Sequence, residues 1–206
     1  MLLYAVTDRA WTGEKTLMEQ VKEALAGGIT FLQLREKELG EEEFLREAKD
    51  MKALAAAYLF PFIINDNVEL ALAIGADGVH VGQDDMEAGK VREKLGPDKI
   101  IGVSAHSVEE AGEAEKKGAD YLGAGAVFST STKGDAGALS METLKAICSS
   151  VSIPVVAIGG IKEENILSLK GTGVAGAAIV SGIFAQKNIR EACVRLRSLA
   201  KEMVEK

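Results

Sequence analysis

The polar residues best suited to chemistry in this chain of 206 residues stand at the ends of short apolar runs, not at their starts. Gln33-Leu34-Arg35-Glu36-Lys37, Asn65-Asp66-Asn67, Gly82-Gln83-Asp84-Asp85 and Ser104-Ala105-His106-Ser107 each close or follow such a run. Alternation along a strand puts Gln33, Arg35 and Lys37 on one side and Leu34 on the other, so three donors face one way and form an anion site. Asp66 and Asp85 end neighbouring runs and offer two hard oxygen ligands, as an Mg2+ ion that also holds substrate phosphates requires. The plainer role for these carboxylates is capping, Asp66 for a helix at Val68 and Asp84 or Asp85 for one near Met86.

A second group of residues suits a phosphate. Phe128-Ser129-Thr130-Ser131-Thr132-Lys133-Gly134 combines hydroxyls, a lysine and a glycine, a composition fit for a loop that closes over an anion. Gly159-Gly160-Ile161 and Ser181-Gly182-Ile183 place small residues where backbone N–H groups can approach an oxyanion at a helix N-terminus. Two anion sites in one mouth follow, a metal-assisted pyrophosphate site and a separate monophosphate site.

The elements that must position these residues repeat. Strand-like runs at 2–7, 31–35, 62–65, 78–81, 100–104, 121–124, 155–158 and 177–180 alternate with helical patterns at 16–26, 41–58, 68–74, 86–95, 108–117, 141–148, 163–170 and 189–205. Eight βα units predict one (β/α)8 barrel over residues 1–206, whose active site lies at the C-terminal ends of the strands. Gly75-Ala76-Asp77-Gly78, Gly118-Ala119-Asp120-Tyr121 and Gly173-Val174-Ala175-Gly176 are near-copies of one helix-to-strand junction, with glycine ending the helix. A doubly wound open sheet is disfavoured because no Gly-x-Gly-x-x-Gly follows the first strand.

Composition excludes several classes. A net charge of −7 without a Lys/Arg cluster argues against a nucleic-acid partner. No window offers the roughly 18 apolar residues of a membrane span, and no leader pattern opens the chain, so a cytoplasmic location is expected. Cys148 and Cys193 sit in helical patterns and are read as buried thiols. Apolar helix faces leave room for self-association into a homo-oligomer.

In these motifs the sequence resembles the thiamine-phosphate synthase family over essentially its whole length. The residues that carry the resemblance are Tyr4-Ala5-Val6-Thr7-Asp8, Gln33 through Lys37, Asn65-Asp66, Gly75 through Gln83, Gly102-Val103-Ser104, Thr130-Ser131-Thr132-Lys133 and Ala157-Ile158-Gly159-Gly160-Ile161. The resemblance implies condensation of 4-amino-2-methyl-5-(diphosphooxymethyl)pyrimidine with 4-methyl-5-(2-phosphooxyethyl)thiazole to thiamine phosphate and pyrophosphate. It further implies that Gln33, Leu34, Arg35, Glu36, Lys37, Asn65, Ser104 and Lys133 contact the pyrimidine diphosphate, with Arg35, Lys37, Ser104 and Lys133 acting in catalysis. Asp66 and Asp85 are then the Mg2+ ligands, and Thr130, Ser131, Thr132, Gly160, Val180 and Ser181 hold the thiazole phosphate.

In the family the C–O bond to pyrophosphate is thought to break first, leaving a methylene cation that the thiazole nitrogen captures. No general base is needed, and His80 and His106 are read as structural. The sequence departs from the family pattern at Ala126 and Ser129, where proline is usual, and in having no extension before the first strand. A thiazole tautomerase-like paralogue and a non-catalytic phosphometabolite-binding barrel are the alternatives. Neither has a use for the Asp66, Asp85, Arg35 and Lys133 set. A Schiff-base aldolase would carry its lysine on a strand, whereas Lys133 lies in a loop.

Overall fold

Strands that are buried on both faces read as continuous apolar runs, and here they close on themselves. The structure is a computed structural model that describes residues 1–130 and 138–205. Its strands are β1 (Leu3–Val6), β2 (Phe31–Leu34), β3 (Phe62–Asn65), β4 (Gly78–Val81), β5 (Ile100–Ala105), β6 (Tyr121–Gly125), β7 (Val155–Ile158) and β8 (Gly176–Ile179). Each pairs in parallel with the next, and β8 pairs with β1, giving a closed barrel. The expected eight-stranded (β/α)8 architecture is present.

The helices are α1 (Leu17–Ala26), α2 (Glu41–Ala57), α3 (Val68–Ile74), α4 (Ala88–Leu95), α5 (Val108–Lys116), α6 (Met141–Ser150), α7 (Ser181–Phe184) and α8 (Ile189–Val204). A capping box formed by Thr16 and Glu19 opens α1, and Gly75 closes α3 in the left-handed conformation that the junction pattern predicts. Alternation divides the core in two. Outward residues such as Leu3, Leu32, Leu34, Ile64, Val79 and Ile101 pack under the helices, whereas Tyr4, Val6, Phe31, Ile63, Tyr121, Val156 and Ala178 fill the barrel interior.

Two stretches differ from expectation. The helix expected at 163–170 is a 3-10 turn over Ile166–Leu169. Its would-be first turn is taken up by Asn165, whose Oδ1 accepts from Lys162 N and whose Nδ2 donates to Gly160 O. The last strand lies at Gly176–Ile179, not 177–180, because Val180 already turns the chain into α7.

Candidate functional site

The C-terminal ends of the strands surround a cavity of about 110 Å3. Thr7 ties β1 to β2 at its rim: the Thr7 amide donates to Gln33 O at 3.0 Å, and Arg35 N donates to Thr7 Oγ1 at 2.9 Å. The Arg35 guanidinium lines the cavity and pairs with Asp8 Oδ2 at 3.2 Å, so its position is set by the loop after β1.

Glu36 behaves differently from its neighbours. Its side chain is 2% exposed, and its Oε2 accepts from Arg9 Nε at 2.8 Å. Its Oε1 accepts from the amides of Lys37 at 2.8 Å and Glu38 at 2.9 Å, so the loop after β2 folds around this carboxylate. Arg9 Nη2 continues to Glu47 on α2 at 2.7 Å. Burial alone would raise the Glu36 carboxyl, but the Glu38 amide, the Arg9 guanidinium and the Lys37 amide outweigh it and hold it below the usual carboxylate range. The side chain therefore shapes the loop instead of facing the cavity. Leu34, fully buried, belongs to the outer core and offers the mouth only its backbone.

Lys37 lies beyond the end of β2, yet its Nζ reaches Asp66 Oδ2 at 2.5 Å. Asp66 Oδ1 accepts from Asn65 Nδ2 at 2.7 Å, and Asp66 N donates to His80 O at 2.8 Å across the β3–β4 seam. Asp66 adopts a left-handed φ of 60°, a strained conformation for a non-glycine residue and one that clusters at functional sites. It does not cap α3; Asn67 does, accepting from Leu70 N at 2.9 Å. Neither does Asp85 cap α4, whose N-cap is Glu87; Asp85 Oδ2 accepts from Gly82 N at 2.7 Å and stays close to the end of β4.

Both carboxylates are thus released from the capping roles open to them in the sequence. Among the described residues no three or more His, Cys, Asp or Glu side chains form a complete metal cage. Mg2+ does not need one, since one or two carboxylates with water and phosphate complete its shell; Asp66 lines the cavity, whereas Asp85 is not among its lining residues.

On the opposite side, Gly159 and Gly160 end β7 with φ values of 102° and 63°. A Cβ on Gly160 would lie 2.5 Å from Ser129 O, so only glycine lets the strand-6 and strand-7 loops approach this closely. Val180 (φ −104°, ψ −88°) starts α7, and its carbonyl accepts from the Ile183 amide at 3.0 Å and the Phe184 amide at 2.9 Å, so by helix geometry the amides without an intrahelical acceptor are those of Ser181 and Gly182. Thr130, Gly160 and Ser181 line both the central cavity and an adjoining groove of about 580 Å3.

Of the residues singled out in the sequence, Gln33, Arg35, Asn65, Asp66, Ser104, Thr130, Gly160, Val180 and Ser181 line the one cavity. Lys37 reaches it through Asp66. Ser131, Thr132 and Lys133 lie outside the described residues.

Sequence reasoning gave no role to Asp8, Arg9, Tyr4 or Tyr121. The signal for Tyr121 was present in Gly102, a glycine inside a strand: a Cβ there would sit 2.1 Å from the Tyr121 ring, so the glycine makes room for a large neighbour. Burial pushes the Cys148 thiol up to about 11 and the Cys193 thiol up to about 12, which keeps both unreactive.

A parallel eight-stranded barrel with an acidic and basic cluster over β2–β4 and a glycine corner over β7–β8 defines the class: a phosphate-handling (β/α)8 enzyme. The family model described as thiamine monophosphate synthase matches residues 3–183. The chain is 55% identical over 194 residues to a thiamine-phosphate synthase of Ruminiclostridium cellulolyticum, covering 94% of this chain and 92% of that one. It is 54% identical over 189 residues to one from Clostridium acetobutylicum, covering 92% and 90%. A solved thiamine phosphate pyrophosphorylase from Pyrococcus furiosus matches with a TM-score of 0.90 and 43% identity, covering 98% of this chain and 96% of that one. The chain belongs to the thiamine-phosphate synthase family, a family of transferases.

Proposed function

We propose that the mouth joins the aminopyrimidine diphosphate to the thiazole phosphate in two steps. The observation that carries this is that Arg35 and Asp66 on one side, and Gly160 and Ser181 on the other, line a single cavity. Two anionic substrates can then lie side by side with their reacting ends between the sites, an arrangement that removes most of the entropic cost of bringing them together.

The pyrimidine C–O bond breaks with its electron pair going to the diphosphate. Arg35 and Lys37 stabilise that departing charge, and Lys133 in the strand-6 loop adds to them in the same reading. Asp66 and Asp85 would hold Mg2+, which when bound supplies positive charge to the same diphosphate. Ser104, on β5, contacts the pyrimidine diphosphate. The thiazole nitrogen then gives its lone pair to the methylene carbon, forming the C–N bond and leaving the positive charge on the thiazolium ring. No proton is transferred, so neither His80 nor His106 needs to act as acid or base. Gly160, Val180 and Ser181 hold the thiazole phosphate through backbone amides, and Thr130, Ser131 and Thr132 are its further ligands in the same reading.

The test mixes the purified protein with Mg2+ and both substrates and follows thiamine phosphate and pyrophosphate together. Asp66→Asn is the informative variant, because asparagine also tolerates a left-handed backbone and removes only the charge. One-to-one products, abolished by EDTA and reduced roughly 10²–10³-fold in Asp66→Asn, are expected. Equal turnover in EDTA would contradict the metal assignment, and isomerisation of the thiazole without coupling would contradict the reaction.

A further inference from the structure

Under the mouth runs a line of buried hydrogen bonds whose middle members, Tyr4, Tyr121 and His80, have no part in the two anion sites. Gln33 Nε2 donates to the Tyr4 hydroxyl. Tyr4 Oη lies 2.9 Å from Tyr121 Oη, which lies 2.8 Å from His80 Nδ1. His80 Nε2 lies 3.0 Å from Ser104 Oγ. The line crosses the barrel from β2 through β1 and β6 to β4 and β5, and it begins and ends on residues of the pyrimidine side.

Its direction follows from proton counting. Burial raises the pKa of both phenols, so each carries one proton and can donate once. Tyr4 accepts from the Gln33 amide and must donate to Tyr121. Tyr121, having accepted, must donate to His80 Nδ1. That nitrogen then carries the lone pair, Nε2 carries the ring proton and donates to Ser104 Oγ, and the Ser104 hydroxyl proton is left to point onward. The reverse direction, from His80 Nδ1–H through Tyr121 and Tyr4, would require the Gln33 amide turned over, with its oxygen accepting from Tyr4 and its NH2 group toward the cavity. Among the described residues the orphaned buried side-chain polar atom is Gln20 Oε1, so every group in the line is satisfied. Gln33 Oε1, not used in the line, opens on the cavity that Gln33 lines.

We propose that this line is a one-way relay that locks the Gln33 amide with its oxygen toward the substrate, locks His80 as the Nε2-protonated tautomer and leaves Ser104 as a donor. It rests on the reading of this side as the pyrimidine site. Tyr4 and Tyr121 are thereby positioning residues for specificity. An exocyclic amino group finds an acceptor at Gln33 Oε1, whereas an oxo group at the same ring position meets oxygen with oxygen and is rejected. Without the Tyr4 hydroxyl the amide is free to turn over and present its NH2 group, and the discrimination weakens.

The experiment has two arms. In the first, long-range proton–nitrogen correlation on uniformly nitrogen-15-labelled wild-type protein reads the tautomer of His80, assigned by loss of the other signal in His106→Gln. In the second, kcat/KM is compared for the amino pyrimidine diphosphate and its oxo analogue in wild type, Tyr4→Phe and Tyr121→Phe, with circular dichroism confirming the fold. The relay predicts an Nε2-protonated ring, and an amino-over-oxo preference that falls by about tenfold or more in Tyr4→Phe while KM for the thiazole phosphate stays unchanged. An Nδ1-protonated or doubly protonated His80, or an unchanged preference in folded Tyr4→Phe, would overturn it. Absence of turnover with either pyrimidine would sink the proposed reaction, and the tautomer would still decide the relay.

Discussion

Glu36 shows how a residue in a recognition motif can serve the site without facing it. Its carboxylate is enclosed by Arg9 and by the amides of Lys37 and Glu38, and those bonds fix where the loop carries Lys37. Glu36→Gln keeps the shape and removes the charge, so its effect should fall on binding of the diphosphate: KM for the pyrimidine diphosphate rises several-fold while KM for the thiazole phosphate holds. Stability should respond to pH as well. The folded carboxyl titrates below its ordinary value of roughly 4.3, so its contribution is present above that pH and is lost as pH falls through the folded value. Urea midpoints of wild type and Glu36→Gln should therefore differ at neutral pH and converge in acid, and a gap that widens in acid would contradict this account. Sequence alternation placed Arg35 toward the mouth, and it lines the cavity. Alternation could not place Glu36, because its partner Arg9 lies 27 residues away on another strand's loop.

Among the elements, the short ones were hardest to read. The four residues of α7 and the 3-10 turn at Ile166–Leu169 are too short to show helical periodicity, and their conformation is fixed by bonds such as Asn165 Nδ2 to Gly160 O. The long amphipathic helices and doubly buried strands were legible because burial dictates their pattern. Capping was ambiguous in the sequence, since Asp66 and Asn67 are adjacent and either suits an N-cap. The structure gives that task to Asn67, so Asn67→Ala should lower unfolding stability by about 1 kcal/mol, read by urea denaturation. At the other end of the mouth, Gly160→Ala would push a methyl group to 2.5 Å from Ser129 O. The phosphate corner must then open, and kcat/KM at limiting thiazole phosphate should fall roughly tenfold or more with the diphosphate side unaffected.

For the whole molecule, closure of the barrel joins what the sequence keeps apart. Tyr4 and Tyr121 touch across 117 positions, and no local pattern could announce that contact. The same closure buries Cys193 and half-buries Cys148. With thiols pushed up to about 11 and about 12, at most about one Cys148 in a thousand is thiolate at pH 8. Both cysteines should stay silent to a disulfide reagent in the native protein and react together on unfolding, and rapid native labelling would contradict the packing. Helices packed on strands, and loops gathered at one rim, leave Arg35, Asp66, Gly160 and Ser181 around one mouth, which in the proposed function serves two anions.

That last point is the central claim, and calorimetry tests it directly. Thiazole phosphate is titrated into the protein with and without saturating Mg2+ and pyrophosphate, and the series is repeated with Asp66→Asn and Gly160→Ala. The account predicts that both ligands bind together, that Asp66→Asn weakens pyrophosphate alone and that Gly160→Ala weakens the thiazole phosphate alone. Mutual exclusion of the two ligands, with both variants losing both affinities, would mean one shared anion site and would contradict it.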